Sequence, residues 1–407
     1  MSAEGANLFK GVDPPGPCRL KFVIMATATL VPITGAVLEW AMDQEGFEDT
    51  DVAARCGVTP TDVARWRAGT SQPTKTQFSR LVTLLKRPSM FFFLSDPPAD
   101  AGIPPSFRHP PGEDTQRKLL PVEARAIRTA RRLQKISTWI HRKRGDQPVE
   151  LPRLGSSENP ERSALVAAQY FGWEVAQQLG ARDSSEVVHR LRSLFEDSAL
   201  LVLHLPLSTT GCRGFSLYSE YAPLSAINTH YDTPARVFSY IHELGHLLTR
   251  TDSICSRIGG QALERWCEQF AAAFLLPERP FLSFVEGEFG LDATRDRQQI
   301  RFLANRFKVS MSAVTVRLIR LGLAPQDLYS NILNLDADIK KRGGGMGGAT
   351  SPQIRVREWG RSYPRLILNA ERAGLLQRHD VLEYLNLSAS QLPALQEELE
   401  FAGWDEH

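Results

Sequence analysis

Apolar residues repeat at helical spacing along two neighbouring stretches in the middle of the chain. The first stretch covers residues 238–248, and no proline interrupts residues 235–276. The second stretch is rich in alanine and leucine and stops at Pro277, a residue that cannot continue a helix. The pattern therefore predicts two successive helices joined by a loop.

Two shorter apolar runs precede these helices. Residues 200–205 and 224–228 have the length and the side chains of strands, whereas residues 160–200 have a helical pattern. We expect the two runs to be strands of a small sheet that flanks the predicted helices. The expected fold class is α+β.

The first predicted helix contains an H-E-x-x-H motif made by His242, Glu243 and His246. Residues four apart share one face of a helix, so both imidazoles can ligate one zinc ion. The glutamate between them can deprotonate a water bound to that ion. The alternative interpretation is two surface or capped histidines without a metal.

A catalytic zinc site needs a third protein ligand, and the second helix offers candidates. Glu264, Cys267 and Ala271 share one face of that helix. Glu264 follows far enough behind His246 for a loop and an antiparallel return of the chain. Glu268 is the competing carboxylate, and Cys267 is a possible ligand, although a single buried thiol is more often core filler.

These segments resemble the ImmA/IrrE family of metallopeptidases. That family joins H-E-L-G-H to a later E-x-x-x-N-x-F-A-A-x-x-L-x-P, and the chain departs from it at Glu268, where the family usually has Asn. The residues that match the second pattern are Glu264, Phe270, Ala271, Ala272, Leu275 or Leu276, and Pro277. Upstream, Arg213-Gly214-Phe215-Ser216, Asn228 and residues 235–238 resemble the strands and loop that lead into the family's zinc helix.

The resemblance implies a zincin-like peptidase domain of the gluzincin type. His242, His246 and Glu264 would ligate Zn²⁺, and Glu243 would act as the general base. The family's Asn supports the zinc shell, so a carboxylate at Glu268 could retune the metal or weaken activity. The group that stabilises the oxyanion is left unassigned.

Residues 31–95 carry a second pattern, of short helices separated by glycine. A first helix contains Val37 and Leu38, and a second ends at Gly57. Thr59, Pro60 and Asp62 have the residue types of a helix start, and Gly69 follows the helix that they begin. One more helix is expected at residues 77–86. Two short helices around a glycine turn, inside a small bundle, are typical of a helix-turn-helix.

This stretch resembles the Cro/C1-type (XRE) helix-turn-helix domain. The resemblance implies that Thr61, Asp62 and Arg65 face DNA base edges, with Arg67, Ser71 and Lys75 nearer to phosphates. Charge leaves open the alternative of a small bundle that binds protein or nothing. Residues 51–87 are basic, but the first helix and its loop add Glu39, Asp43, Glu45, Glu48 and Asp49.

Proline- and glycine-rich segments divide the chain further. We expect an extension at 1–30, the helix-turn-helix domain at 31–95, a proline-rich linker at 96–120 and the peptidase domain at 121–285. A helical, helix-turn-helix-like subdomain follows at 286–335, then a glycine-rich linker at 336–358 and a helical tail at 359–407. The peptidase domain begins with a basic helix, since residues 117–144 hold ten Lys or Arg and one Glu. That helix meets DNA or an acidic partner, or is simply solvated.

Composition bears on the cell compartment in which the protein works and on whether it spans a membrane. Five cysteines without a C-x-x-C pair suit a reducing cytosol, and a net charge of +2 identifies no partner. The apolar run at residues 22–38 contains Pro32 and Gly35 and merges into the first helix, so secretion is rejected and no membrane span is expected. Met25 is a candidate for the true start.

The expected function is that of a cytoplasmic zinc endopeptidase with a DNA-binding domain. By resemblance, it would cleave a helix-turn-helix repressor and so derepress mobile-element or stress genes, with operator DNA bound by the front domain. The alternatives are a transcription regulator that uses the peptidase fold as a sensor without cutting, and an antitoxin-like protein-binding module. The target repressor, the operator, the activating signal and the oligomeric state cannot be read from the sequence.

Overall fold

The computed structural model describes residues 29–45, 47–85, 87–97, 120–208, 212–250, 260–290, 296–325, 328 and 350–401. They fall into two compact units. One unit holds the described residues up to Trp40 and from Asp49 to Pro97, and the other holds Ala41–Glu48 and the described residues beyond Pro97. Met25, residues 98–119 of the expected proline-rich linker and residues 336–349 of the expected glycine-rich linker lie outside the described residues.

The first unit is built from short helices. They are most of α1 (Gly35–Glu45), α2 (Asp49–Cys56), α3 (Pro60–Arg67), α4 (Lys75–Leu85) and a 3₁₀ turn at Ser89–Phe93. Thr59 caps α3, and its side chain and that of Asp62 form a reciprocal capping box, which confirms the predicted helix start. Between α2 and α3, Gly57 adopts a φ of +73°, a conformation that favours glycine.

The second unit contains one sheet of three strands, β1 (Leu201–Leu205), β2 (Gly214–Leu217) and β3 (Leu224–Asn228), in the order β1-β3-β2. Strand β1 runs parallel to β3, with Leu203 opposite Ala226, and β2 runs antiparallel to β3. Every strand residue is buried. Both faces must therefore be covered, which explains why β1 and β3 appear in the sequence as nearly continuous apolar runs.

One face of the sheet is covered by helices α8 (Ser184–Asp197) and α9 (Thr233–Thr249). Behind α9 lie α6 (Pro160–Phe171), α7 (Val175–Gly180), α10 (Gly260–Leu275), α11 (Glu278–Phe289), α12 (Arg297–Phe307) and α13 (Met311–Arg320). The apolar residues of α12 and α13 belong to the same core as those of α9 and α10. The segment expected as a separate subdomain at 286–335 thus shares its core with the peptidase helices.

The other face of the sheet is covered by the basic helix α5 (Pro121–Arg144) and by the C-terminal helices. These are α14 (Ser351–Trp359), α15 (Ser362–Arg372), α16 (Arg378–Leu385) and α17 (Leu392–Phe401). Helix α14 begins at Ser351, inside the expected glycine-rich linker, because Thr350 and Pro352 supply a helix start there. The C-terminal helices contribute to the core over the sheet.

None of the described helices is long and apolar enough to cross a membrane.

Candidate metal centre

Helix α9 carries the H-E-x-x-H motif through the interior of the second unit. It starts at Asp232, whose Oδ1 accepts a hydrogen bond from the backbone N–H of Ala235 at 3.1 Å. Its residues 237–248 are all buried, so the two imidazoles and the intervening carboxylate are removed from bulk water. Polar groups this deep in a protein need partners, and the chemistry of the site follows from which partners they have.

Helix α10 packs against α9 at Gly245, between the glutamate and the second histidine of the motif. A Cβ at Gly245 would lie 3.2 Å from both the Sγ of Cys267 and the Cδ1 of Phe270. The glycine therefore permits a closer approach of the two helices than a larger residue would. This close approach is what brings Glu264, one turn before Cys267 and nearly two turns before Phe270, up to the imidazoles.

His242, His246 and Glu264 converge on one point. The two Nε2 atoms lie 3.2 Å apart, and Glu264 places one carboxylate oxygen 3.2 Å from His242 Nε2 and the other 3.4 Å from His246 Nε2. Within the described residues these are the His, Cys, Asp and Glu side chains that could hold a metal ion together. Both histidines are buried, whereas the Glu264 side chain is 30% exposed, so the cluster reaches solvent on the Glu264 side.

These distances are of the size found around a zinc ion, whose tetrahedral ligands at about 2.0–2.1 Å are separated from each other by about 3.3 Å. The two Nε2 atoms are 3.2 Å apart, and each faces a different oxygen of Glu264, at 3.2 Å for His242 and 3.4 Å for His246. Two imidazoles and one carboxylate are also a common ligand set for catalytic zinc. The residues present therefore fit the ion that the H-E-x-x-H motif implies.

The electrostatics of the cluster are those of a cation site. Burial would raise the pKa of Glu264, but hydrogen bonds from His242 and His246 outweigh it and hold that pKa well below its usual value. Burial would likewise lower the pKa of His246, but Cys267 and Glu264 raise it well above its ordinary value. Without a metal, the site thus attracts a proton to the place that a divalent cation would take.

Glu243 is buried beside strand β2 and does not join the cluster of three. A Cβ at Gly214 would lie 3.0 Å from Oε1 of Glu243 and 3.2 Å from its Cγ. The backbone of β2 therefore forms one wall of the place where this carboxylate rests. The Glu243 carboxylate therefore lies against β2, outside the group of atoms that could hold the ion.

The two competing ligand candidates are not part of the cluster of three. Glu268 is exposed, one turn beyond Glu264. Cys267 is buried where α10 meets Gly245 of α9, and its thiol is hydrogen-bonded to His246. The buried His204 hydrogen-bonds to Tyr240. Burial, with a smaller effect from Arg192, lowers the pKa of His204, so this imidazole is neutral.

Sequence reasoning attached no role to two residues near the site. The first is Gly214, whose missing side chain leaves room for Glu243. The second is Asn228, at the end of β3. Its Oδ1 accepts from the backbone N–H of Leu207 and His230, and its Nδ2 donates to the carbonyls of Ser208 and Cys212. The available signal for Asn228 was a polar residue that closes an apolar strand.

The residues expected to contact DNA differ in how exposed their side chains are and in whether they pair with other residues of the first unit. Arg65 projects from α3 with 60% of its side chain exposed, and Thr61 and Lys75 are also exposed. Ser71 is half-buried.

Two more of these expected contacts have internal partners. Asp62 is engaged in the capping box of α3, where its Oδ2 accepts from the Thr59 hydroxyl at 2.7 Å. Arg67 pairs with Glu39 at 3.3 Å and with Asp49 at 3.2 Å. Any contact of Asp62 or Arg67 with DNA has to compete with these partners.

Comparison with known proteins finds a family that this site resembles. Residues 195–318 match the model of the IrrE N-terminal-like domain, a peptidase family, and the match includes β1 to β3, α9, α10, His242, Glu243, His246 and Glu264. This segment is therefore similar to a metallopeptidase-type family. Helices α5 to α7, the first unit and the C-terminal helices lie outside the matched residues.

The other comparisons add little. No curated protein sequence matches the chain. A solved structure of a Mycobacterium tuberculosis transcriptional regulator matches with a TM-score of 0.29 and 16% identity, over 46% of this chain and 51% of that one. The chain thus spans about half the length of that regulator, and a TM-score this low supports no conclusion about function.

Proposed function

We propose that the chain is a zinc endopeptidase that regulates transcription by cleaving a protein. The observation that carries this proposal is the convergence of His242, His246 and Glu264 at separations of 3.2–3.4 Å, with the Glu243 carboxylate buried beside them. The match of this segment to a peptidase family supports the same reading.

In this proposal His242 and His246 on α9 and Glu264 on α10 hold the ion. Bound zinc supplies a Lewis acid that lowers the pKa of a coordinated water towards about 7. Glu243 accepts the proton of the attacking water on its carboxylate and then donates it to the leaving amide nitrogen. The wall formed by β2 at Gly214 keeps that carboxylate in one place through both proton transfers.

The proposed substrate is a helix-turn-helix repressor, and the proposed role of the first unit, residues 31–95, is to bind operator DNA. A protease held at the operator would meet its substrate at a raised effective concentration. The exposed side chains of Thr61, Arg65 and Lys75 support a DNA-facing surface. Arg67 is proposed to stabilise the unit through Glu39 and Asp49 rather than to contact phosphates.

The test is a Glu243→Gln variant of the full chain, since glutamine keeps the shape of the side chain but cannot accept the proton. Newly formed protein N-termini are compared between cells that contain the wild type and cells that contain the variant, and zinc content is measured on both purified proteins. We expect equal zinc and the loss of one cleavage product in the variant. Equal zinc with identical cleavage and identical gene regulation would refute proteolysis and favour a non-cutting sensor.

DNA binding by the first unit is tested separately. Arg65→Ala should weaken operator binding, because Arg65 is exposed on α3. Arg67→Ala should mainly lower the melting temperature, because it breaks two ion pairs. Binding must also weaken as salt rises, since phosphate contacts release counterions. Salt-independent binding, or an Arg65→Ala variant that binds normally, would leave a protein-binding bundle as the better description.

A further inference from the structure

Helix α5 borders an open groove that the proposed peptidase mechanism does not use. The groove has a volume of about 540 Å³. We call it the α5 groove, and its lining residues are Gln134, Lys135, Thr138, Trp139, Arg142 and Lys143. It lies beside the turn that follows β2, because the Gln134 amide donates to the carbonyls of Leu217 and Ala222.

The exposed side of α5 carries only positive charge. Its single acid, Glu123, is buried, where it accepts from the backbone N–H groups of Leu120 and Cys212. Two cations of the helix pair with acids outside it, Arg132 with Glu383 and Arg144 with Asp146. Three further cations, Lys135, Arg142 and Lys143, line the groove.

An exposed tryptophan lies among these cations. Trp139 is 42% exposed, although α5 buries Leu133 and Ile140 in the core over the sheet. One turn away, the Arg142 guanidinium lies 5.2 Å from the ring centre of Tyr221. A large apolar ring left partly in water beside rigidly held arginine is the composition of a binding hot spot.

The walls of the groove are already in place for a partner. The Gln134 amide is fixed by two carbonyls, and the Thr138 hydroxyl lies 3.3 Å from that of Ser219. Binding therefore costs little reorganisation of the groove. The same turn carries the exposed Glu220, whose carboxylate would repel a continuous polyanion but could be tolerated beside a peptide of mixed side chains.

We propose that the α5 groove docks an acidic segment of a partner protein, with an apolar side chain of that segment packed on Trp139. The carboxylates of the segment meet Lys135, Arg142 and Lys143. This docking does not depend on the proposed proteolysis, because it requires neither the metal nor Glu243.

The probe is a fluorescent peptide in which glutamates alternate with uncharged residues around one central phenylalanine, titrated with the full chain. We expect binding that Trp139→Ala weakens at least about five-fold and Lys143→Glu about ten-fold. Trp139→Phe should keep most of the affinity, since it retains an aromatic surface. Raising salt from about 50 to about 200 mM should weaken binding at least about three-fold, because the Debye length falls from about 14 to about 7 Å.

The matched control is Arg301→Glu, which makes the same change in charge at an exposed arginine of α12. It should leave the affinity unchanged, and a peptide with glutamine in place of glutamate should not bind. The proposal is overturned if the wild type does not bind the peptide, or if Arg301→Glu weakens binding as much as Lys143→Glu does. It is also overturned if a thymidine oligonucleotide of equal charge displaces the peptide and depends more strongly on Trp139, since the groove would then bind nucleic acid.

Discussion

Gly245→Ala should lower the affinity for zinc more than it lowers the stability of the fold. The new Cβ would lie 3.2 Å from Cys267 Sγ and 3.2 Å from Phe270 Cδ1, both on α10, so the helices must separate by a few tenths of an ångström. Such overpacking costs about 1–3 kcal/mol, and the better helix propensity of alanine returns about 0.5–1 kcal/mol. The expected net loss of stability is therefore about 0–2.5 kcal/mol, a moderate fall in melting temperature.

The effect on zinc should be larger, because the ligands come from both helices. His242 and His246 belong to α9 and Glu264 to α10, and the carboxylate lies 3.2 and 3.4 Å from the two Nε2 atoms. Metal–ligand distances tolerate about 0.2 Å, less than the required separation of the helices. We expect zinc affinity to fall about ten-fold or more, as it does when the support of a ligand is disturbed.

Competition with a chromophoric chelator measures this affinity, and thermal unfolding of the zinc-free protein measures the fold. Gly287→Ala is the matched control, because Gly287 is also helical and its Cβ would meet nothing within 4 Å. That control should bind zinc normally and be slightly more stable. A Gly245→Ala protein with wild-type zinc affinity would show that the spacing of α9 and α10 does not control the site.

Three further predictions concern Gly214 beside Glu243, the pH dependence of zinc binding and the buried Arg317. In Gly214→Ala the new Cβ would lie 2.9 Å from the Ala226 carbonyl oxygen and 3.0 Å from Glu243 Oε1, so the variant should be less stable and its Glu243 carboxylate displaced. We expect it to retain zinc but to lose at least about ten-fold in turnover of the substrate that the Glu243→Gln experiment identifies; equal turnover by folded protein would contradict this. Zinc affinity should rise about ten-fold per pH unit between about pH 6 and 7. The reason is the raised pKa of His246, which leaves this imidazole protonated, so that zinc must displace a proton to bind. A zinc affinity that does not change with pH in a competition titration would contradict this prediction. Arg317→Leu should destabilise the fold by about 2 kcal/mol in chemical denaturation, because the carbonyl of Leu276 loses the Arg317 donor and the half-buried Glu161 loses its ion pair; an unchanged midpoint would contradict this.

The elements of the site were predictable because local rules produce them. Helical spacing of apolar residues and Pro277 predicted two helices, and α9 and α10 occupy those stretches. The capping residues Thr59 and Asp62 predicted the start of α3 for the same kind of reason. Strand β1 begins one residue later than expected, at Leu201, and β3 has the expected bounds.

Features that depend on distant contacts were not predictable. The sequence suggested that Arg67 faces phosphate, but its pairs with Glu39 and Asp49 require the fold of the whole first unit. The C-terminal helices looked like an appended tail, although their apolar faces cover the sheet together with α5. Spacing in the chain says which face of a helix is apolar, but not which surface that face will cover.

In the candidate metal centre, one part was predictable from local helix geometry and another part depends on distant contacts. The motif places His242 and His246 on one face of a helix by local geometry alone, whereas the third ligand depends on how closely another helix approaches. That approach is set by Gly245, which does not contact the ion and has no donor atom to suggest a role. A chain with the same three ligand residues and a larger side chain at this position would keep the motif but hold Glu264 too far away. For this fold, the glycine inside H-E-L-G-H therefore affects the metal site through the packing of α9 against α10, without contributing a ligand.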